Sequence, residues 1–228
     1  MKRLNDGELE RSWTVANSAM NRDRGLRGPS SDEKELGFSP LEVLHPRLDA
    51  GREAAWLDLA CGNGRALREA AEGLNEGSSA RPILVGVDLV ATWPYLPPEL
   101  RLVSYHAASL HQWRPDRTFD LVTCVHGLHY VGDKLGLIER SVGWLSAEGR
   151  LAAHLDLANL RFDDGRPMNR AVLARFRDLC LTYDRRRRLL MADGPRPIDF
   201  GWQHLGADDE AGPNATGQRS VNSYYGRA

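Results

Sequence analysis

Short apolar runs alternate with amphipathic stretches along the middle of the chain, from residue 53 onward. Runs that stay apolar are typical of strands buried on both faces, as in a parallel sheet. The strand-like runs are Ala54–Ala60, Ile83–Val87, Leu102–Tyr105, Phe119–Val125 and Arg150–Leu155. Helices are predicted over about Arg65–Leu74 and Lys134–Leu145. This alternation predicts an α/β domain with a doubly wound, mostly parallel sheet and right-handed crossovers.

Both ends of the chain are less regular. Near the N-terminus, weak helical spacing is carried by Trp13, Val15, Ala16 and Met20, and a Gly-, Pro- and Ser-rich loop follows. Ser39 and Pro40 are typical of a helix N-cap and first helical position. We expect a helical lid or cap over residues 1–50, packed on a core domain of residues 51–228. Towards the C-terminus, a helix is predicted over Met168–Tyr183 and strands over Ile198–Leu205 and Ser220–Tyr225.

Composition narrows the class of protein. The 228 residues fit one α/β domain with an appendage, and the net charge of −1 gives no basic excess for gripping duplex nucleic acid. We interpret the run Arg185–Arg188 as a solvated loop or helix face. Three scattered cysteines without CxxC spacing indicate neither a disulfide framework nor a metal site. A polar N-terminus and the lack of an 18-residue apolar stretch lead us to expect a cytoplasmic protein without a membrane partner.

The strongest chemical signal is Asp58-Leu59-Ala60-Cys61-Gly62-Asn63-Gly64, a strand, a glycine turn and a helix start. Gly62 and Gly64 let the backbone turn tightly and approach a ligand without a Cβ in the way. The turn lacks Gly-Lys-Ser/Thr and the third glycine of the dinucleotide fingerprint. Its acidic neighbour favours a ligand with a cationic amino-acid end over a pyrophosphate. Asp88, at the end of the second strand, is placed to accept hydrogen bonds from ribose hydroxyls.

With these motifs, residues 54–156 resemble the class I S-adenosylmethionine-dependent methyltransferases. Phe119–Val122 matches the strand before the reaction centre of that family, and Leu145–Leu151 matches the turn into its fifth strand, where two glycines are more common. The resemblance implies a Rossmann-like, seven-stranded, mostly parallel sheet with helices on both faces and an antiparallel last strand. We expect residues 198–225 to supply the final hairpin. S-adenosyl-L-methionine is the implied cofactor.

The resemblance also implies a set of donor-binding residues. The family commonly places an acidic residue after the third strand, near the adenine amine, but His106–Leu110 contains none. We expect Ser109 and Leu110 to take that place. The full donor-site prediction is Asp58, Ala60, Cys61, Gly62, Asn63, Gly64, Asp88, Leu89, Ser109, Leu110 and His126.

The fourth strand runs into a segment rich in His and Tyr, and ligands of open α/β sheets lie beyond the carboxyl ends of the strands. The candidate catalytic residues are His129, as a general base, His126 and Tyr130. The alternative is that they pack against the methionine part of the donor or cap the next helix. The segment Asn21–Gly25 is a candidate lid. The predicted lid and acceptor-facing residues are Trp13, Asn21, Arg22, Asn214, Asn222 and Tyr224.

The function remains open between several activities. The first is methyl transfer to the N, O or C atom of a small-molecule acceptor, such as one of specialised metabolism. The second is intramolecular displacement by the donor's own amine, giving azetidine-2-carboxylate and methylthioadenosine. A non-catalytic donor-binding module is less favoured, because a segment rich in His and Tyr follows the complete donor site. A tRNA or rRNA methyltransferase is less favoured, because polar groups without basic clustering suit a small polar acceptor. The sequence leaves the acceptor and the oligomeric state open.

Overall fold

The computed structural model describes residues 3–16, 23–74, 80–97, 102–214 and 217–227, and it contains two sheets. The strands are β1 (Ala54–Leu59), β2 (Pro82–Asp88), β3 (Val103–Ala107), β4 (Phe119–Cys124), β5 (Leu145–His154), β6 (Leu160–Phe162), β7 (Thr182–Asp184), β8 (Leu189–Asp193), β9 (Trp202–Asp208) and β10 (Asn222–Arg227). The helices are α1 (Asp6–Glu10), α2 (Trp13–Ala16), α3 (Asp32–Leu36), α4 (Pro40–Asp49), α5 (Arg65–Leu74), α6 (Lys134–Gly143) and α7 (Asn169–Asp178). No helix in these ranges has the length and apolar character needed to cross a membrane.

The main sheet has seven strands in the order β3-β2-β1-β4-β5-β8-β7. Strands β1 to β5 are parallel, whereas β8 is antiparallel to both of its neighbours. The predicted seven-stranded, mostly parallel sheet is therefore confirmed. The chain winds outward from β1 through β2 to β3, and then returns to β4 on the other side of β1. Open α/β sheets bind ligands at such a reversal, here between β1 and β4.

Helices cover both faces of this sheet, as predicted, because side chains of a strand alternate between its faces. Ala54 and Trp56 of β1 belong to a core shared with α4 and α5. Ala55, Leu57 and Leu59 belong to the opposite core, shared with α6 and α7. All six residues of β1 are buried, which explains why the run is apolar on both faces.

The expected final hairpin is wrong in its location. Residues 182–193, not 198–225, supply the antiparallel end of the main sheet, through β7 and β8. The predicted helix over Met168–Tyr183 hid these strands, because α7 ends at Asp178. The turn between them holds four arginines and closes with Arg188 at φ 53°, where a glycine is the usual signal. The interpretation of Arg185–Arg188 as a loop is confirmed.

The strands predicted near the C-terminus do form, but in a second sheet. β9 and β10 pair antiparallel, and β10 also pairs parallel with β6. Lys134 joins this sheet to the main domain: its buried Nζ donates to the carbonyls of Val131 and Val221 and to Oγ of Ser223, each at 2.8 Å. Burial lowers the pKa of this lysine to about 7.

The N-terminal residues are divided between the two sheets. α4 begins at Pro40 after the Ser39 N-cap, as predicted, and contacts β1 and β4. α1 instead contacts β9, and Leu4 forms a bridge with Ala207 next to it. Leu9 of α1 is fully buried. Met20 lies outside the described residues.

Candidate functional site

A cavity opens at the carboxyl ends of the parallel strands, where the winding reverses between β1 and β4. Its volume is about 740 Å³ when its open mouth is included. Strand ends form one side, and the N-terminal segment and the turn after β3 form the other. The lining residues are Glu10, Val15, Arg24, Ala60, Gly62, Asp88, Leu89, Leu110, His111, Val125, His126, Gly127, Tyr130 and Val131.

The glycine turn after β1 is held in left-handed backbone conformations. Ala60, Gly62 and Gly64 have φ of 57°, 60° and 70°. A Cβ on Gly64 would lie 2.3 Å from the ring of Tyr105, whose hydroxyl donates to the Gly64 carbonyl at 2.8 Å. Only glycine fits this position, so the turn keeps its backbone against the cavity.

Asp88 lies at the end of β2 and is held by backbone amides. Its Oδ2 accepts a hydrogen bond from Gly62 N at 2.9 Å, and its Oδ1 accepts one from Val90 N at 3.1 Å. These bonds fix the carboxylate at the cavity wall. A carboxylate fixed in this way is the kind of acceptor that a diol needs.

Asp58 lies behind the glycine turn, away from the cavity lining. It is buried, and its Oδ1 accepts from the Thr123 hydroxyl at 2.7 Å, while Oδ2 has no hydrogen-bond partner within the described ranges. Burial, reinforced by the charge of Asp32, raises the pKa of Asp58 to about 8. The carboxyl group is therefore mostly protonated at neutral pH.

The end of β4 brings three histidines together. The His126 ring stacks on His154 at 4.5 Å and lies 5.7 Å from that of His129. His126 has φ 61° and lines the cavity, and its Nε2 lies 3.1 Å from Oε2 of Glu35 on α3. The hydrogen bond with His126 lowers the pKa of Glu35. Strained backbone of this kind concentrates at functional sites.

The candidate base His129 is only 2% exposed and is not part of the lining. Burial, and then the charges of His126 and Lys134, lower its pKa to about 3. His129 is therefore neutral at physiological pH and a weak proton acceptor. Tyr130, the third candidate, does line the cavity.

The N-terminal side of the cavity consists of Glu10, Val15 and Arg24, which the sequence signals missed except for Arg24, a member of the predicted lid. Arg24 is buried and paired with the fully buried Asp32. Ser109 donates to Glu10, so the turn after β3 fixes this wall. Nothing in the local sequence around Glu10 pointed to the site.

The other predicted site residues lie outside the lining. Cys61 and Ser109 stand behind it, and Asn63 donates to Asp23 at 2.8 Å. Trp13 is 68% exposed. Asn222 and Tyr224 both donate to Asp208 within the second sheet, and Asn214 packs in the loop before β10. Asn21 and Arg22 fall in the undescribed part of the chain. The described residues contain no cluster of His, Cys, Asp or Glu suited to a metal ion.

Residues 57–153, which contain the glycine turn, Asp88 and the end of β4, match the family of methyltransferase domains. The strand order and the antiparallel β8 agree with that family's sheet. Over this range, which is less than half of the chain, the protein is similar to methyltransferase domains. No curated protein matches the chain.

Several solved structures of methyltransferases are similar to this chain. The N-methyltransferase NodS from Bradyrhizobium japonicum, solved with S-adenosyl-L-homocysteine, is 17% identical; the match covers 84% of this chain and 98% of NodS, with a TM-score of 0.45. A sugar N-methyltransferase from Streptoalloteichus is 24% identical over 44% of this chain and 40% of its own, with a TM-score of 0.32. The plantazolicin methyltransferase is 16% identical, with a TM-score of 0.38; the match covers 44% of this chain but only 38% of that enzyme.

Proposed function

We propose that the protein transfers a methyl group from S-adenosylmethionine to a small-molecule acceptor. The observation that carries this proposal is the cavity at the reversal point, where the glycine turn, Asp88 and the end of β4 converge under a cover of N-terminal residues. When bound, the donor supplies an electrophilic methyl group on a sulfonium.

The residues present fit that donor. Gly62 and Asp88 both line the cavity, and Asp88 ends the strand where a ribose diol is expected. The carboxylates of Glu10 and Asp88 face a single guanidinium, that of Arg24, which is already paired with Asp32. The wall is therefore net negative, which favours a cationic ligand.

A small acceptor is favoured by what closes the cavity. Glu10, Val15 and Arg24 form its outer wall, so the space beyond the donor is bounded by side chains. The four-arginine turn lies between β7 and β8, at the far end of the sheet from β1 and β4. We propose that residues 1–50 act as the cap of the catalytic domain formed by residues 51–228.

The protein's part in the reaction is to bind, align and exclude water. Asp88 accepts hydrogen bonds from the ribose hydroxyls of the donor, and the glycine turn contacts its methionine end. Where the acceptor atom carries a proton, we assign its removal to His126, whose ring lines the cavity. Its Nε2 faces Glu35 and its Nδ1 is buried, so the ring has to turn to receive that proton. The Glu35 carboxylate beside Nε2 stabilises the imidazolium that results.

Incubation with S-adenosylmethionine tests the proposal. Calorimetry is expected to show stoichiometric donor binding, and chromatography is expected to show S-adenosylhomocysteine only when an acceptor is added from a panel of small amines and phenols. Failure to bind the donor would overturn the proposal. Methylthioadenosine formed without any acceptor would establish the cyclising reaction in its place.

A further inference from the structure

A second groove lies between α7 and β7, remote from the cavity between β1 and β4. It encloses about 890 Å³ including its open mouth. One side is a single face of α7, because its lining residues there are spaced three or four positions apart. The other side is β7 and the residues next to it. The groove is lined by Arg170, Leu173, Phe176, Arg177, Leu181, Tyr183 and Arg185.

The three arginines of this groove do not contribute to side-chain pairing within the described part of the protein. Arg170, Arg177 and Arg185 are exposed, and no side-chain hydrogen bond or ion pair with another described residue is found for any of them. Some other arginines are paired with carboxylates, as Arg24 is with Asp32, or with carbonyls, as Arg196 is with Cys180, but these three are not. Three unpaired guanidinium groups in one groove favour an anionic ligand.

Local charge points the same way. The segment 166–188 contains eight arginines and two aspartates, a net charge of +6, whereas the whole chain has a net charge of −1. The rest of the protein is therefore acidic and repels an anion that this surface attracts. The groove is thus the part of the surface at which a negatively charged partner is expected to bind.

The strand bordering the groove is the last in its sheet. β7 pairs with β8 on one side, and among the described residues no strand pairs with its other edge. Such an edge is a template for an added strand, and peptide recognition by strand addition takes its affinity from main-chain hydrogen bonds and its specificity from side-chain pockets. The apolar side chains of Leu173 and Tyr183 lie between the arginines.

We propose that this groove docks an extended acidic peptide segment of a partner protein. The segment adds along β7, its carboxylates pair with Arg170, Arg177 and Arg185, and its apolar side chains contact Leu173 and Tyr183. β7 runs parallel to β5, so its carboxyl end lies at the same edge of the sheet as the cavity. The docked segment thus has one end on the cavity side of the protein.

Fluorescence anisotropy with a labelled, alternating Glu-Val hexapeptide tests this site in the full chain. The expected result is saturable binding that weakens with added salt, and at least tenfold weaker binding of the Gln-Val peptide. The triple variant Arg170→Gln, Arg177→Gln, Arg185→Gln is expected to weaken binding about tenfold, as the loss of three exposed ion pairs would. Methylating alternate backbone nitrogens of the peptide should also weaken it, since strand addition needs those N–H groups.

A matched triple variant separates the groove from general charge. Arg81→Gln, Arg161→Gln and Arg227→Gln lower the net charge equally but lie on other surfaces, and are expected to leave peptide affinity within twofold. Equal losses in both triple variants, or no effect of N-methylation, would overturn the proposal. Tighter, groove-dependent binding of an oligo(U) probe would also overturn it, in favour of single-stranded RNA. None of these measurements uses the methyl donor, so they stand apart from the proposed activity.

Discussion

The two sides of the cavity are built by different means. The strand-end wall, made of Ala60, Gly62 and Asp88 together with the end of β4, is shaped by backbone conformation: positive φ angles, a glycine under the Tyr105 ring, and a carboxylate held by amides. The N-terminal wall, made of Glu10, Val15 and Arg24, consists of side chains held by distant partners, such as Ser109 for Glu10. The pairs Gly62–Asp88 and Gly64–Tyr105 of the first wall are 26 and 41 residues apart, whereas Glu10 and Ser109 of the second are 99 apart.

This difference separates two kinds of sensitivity. Changes in the strand-end wall should affect donor binding while the fold survives, because the damage is confined to a turn. Changes in the N-terminal wall should affect stability, because Arg24 is buried and must stay paired with Asp32.

The largest effect is expected for Arg24→Met. The variant leaves Asp32 buried without its guanidinium, and removing one partner of a buried pair costs about 3–5 kcal/mol. Urea unfolding would measure this loss. Arg27→Met, which breaks the exposed pair with Glu33, is the control, with an expected change of about 1 kcal/mol or less. Equal losses in the two variants would refute the claim that the N-terminal wall depends on buried charge.

Gly64→Ala should break the strand-end wall. Its Cβ would meet the Tyr105 ring, and φ of 70° is unfavourable for alanine, so the turn must shift. We expect donor affinity to fall by about hundredfold or more, or roughly 3 kcal/mol, as measured by calorimetry. The control is Gly73→Ala in α5, whose Cβ has only an ordinary contact at 3.7 Å with Leu41. Normal donor binding by the Gly64 variant would move the donor site elsewhere.

Asp88→Asn should weaken donor binding with little change in the turn, because an amide oxygen can still accept from Gly62 N. Loss of a charged acceptor is worth roughly 1.5–3 kcal/mol, or about tenfold to hundredfold in affinity. Calorimetry against the exposed Asp116→Asn variant gives the comparison. Unchanged affinity would exclude Asp88 from ribose binding.

Glu35→Gln tests the pair in which the two walls of the cavity meet, because Glu35 belongs to the N-terminal segment and His126 follows β4. With an acceptor that loses a proton, kcat should fall by about tenfold to hundredfold, while the donor dissociation constant stays within about twofold. Glu33→Gln, on the same helix, should leave both unchanged. If donor binding weakens and kcat holds, the pair anchors the donor and does not receive a proton.

Asp58→Asn should change how stability depends on pH. The pKa of Asp58 is raised to about 8 in the folded protein from an ordinary value of 3.8, so between these values the folded state holds a proton that the unfolded chain has lost. Stability from this group is present below pH 4 and is lost as pH rises through 8. The variant should remove up to about 1.4 kcal/mol per pH unit of this decline, as measured by urea unfolding at several pH values. An unchanged slope would mean that Asp58 is ionised.

The sequence predicted what depends on short-range pattern. Strands β1 to β5, helix α5 and the Ser39 cap follow from apolar runs and capping residues, and Gly62, Asp88, Leu110 and His126 follow from their places at strand ends. The hairpin of β7 and β8 was missed because its strands are short and its turn carries arginines in place of glycine.

A cap over residues 1–50 was predicted, but the contacts that build the N-terminal wall were not, for a different reason. The pairs Glu10–Ser109 and Glu35–His126 join residues 99 and 91 positions apart. Contacts between residues so far apart in the chain cannot be predicted from the spacing of nearby residues. His129 looked catalytic from its neighbours, and only its burial shows that it is shielded from the cavity.

The hydrogen bonds of Lys134 constrain the order in which parts of the protein can fold. Its ammonium is satisfied by the Val221 carbonyl, 87 residues further along, and by Ser223. The carbonyl of His129, beside the cavity, likewise receives the amide of Val221. While a ribosome is still making the chain, the parallel strands can assemble, but the lysine has to remain hydrated. The segment bearing His126 and His129 is locked only when Val221 and the strand that follows it are in place, so this side of the cavity depends on residues far along the chain.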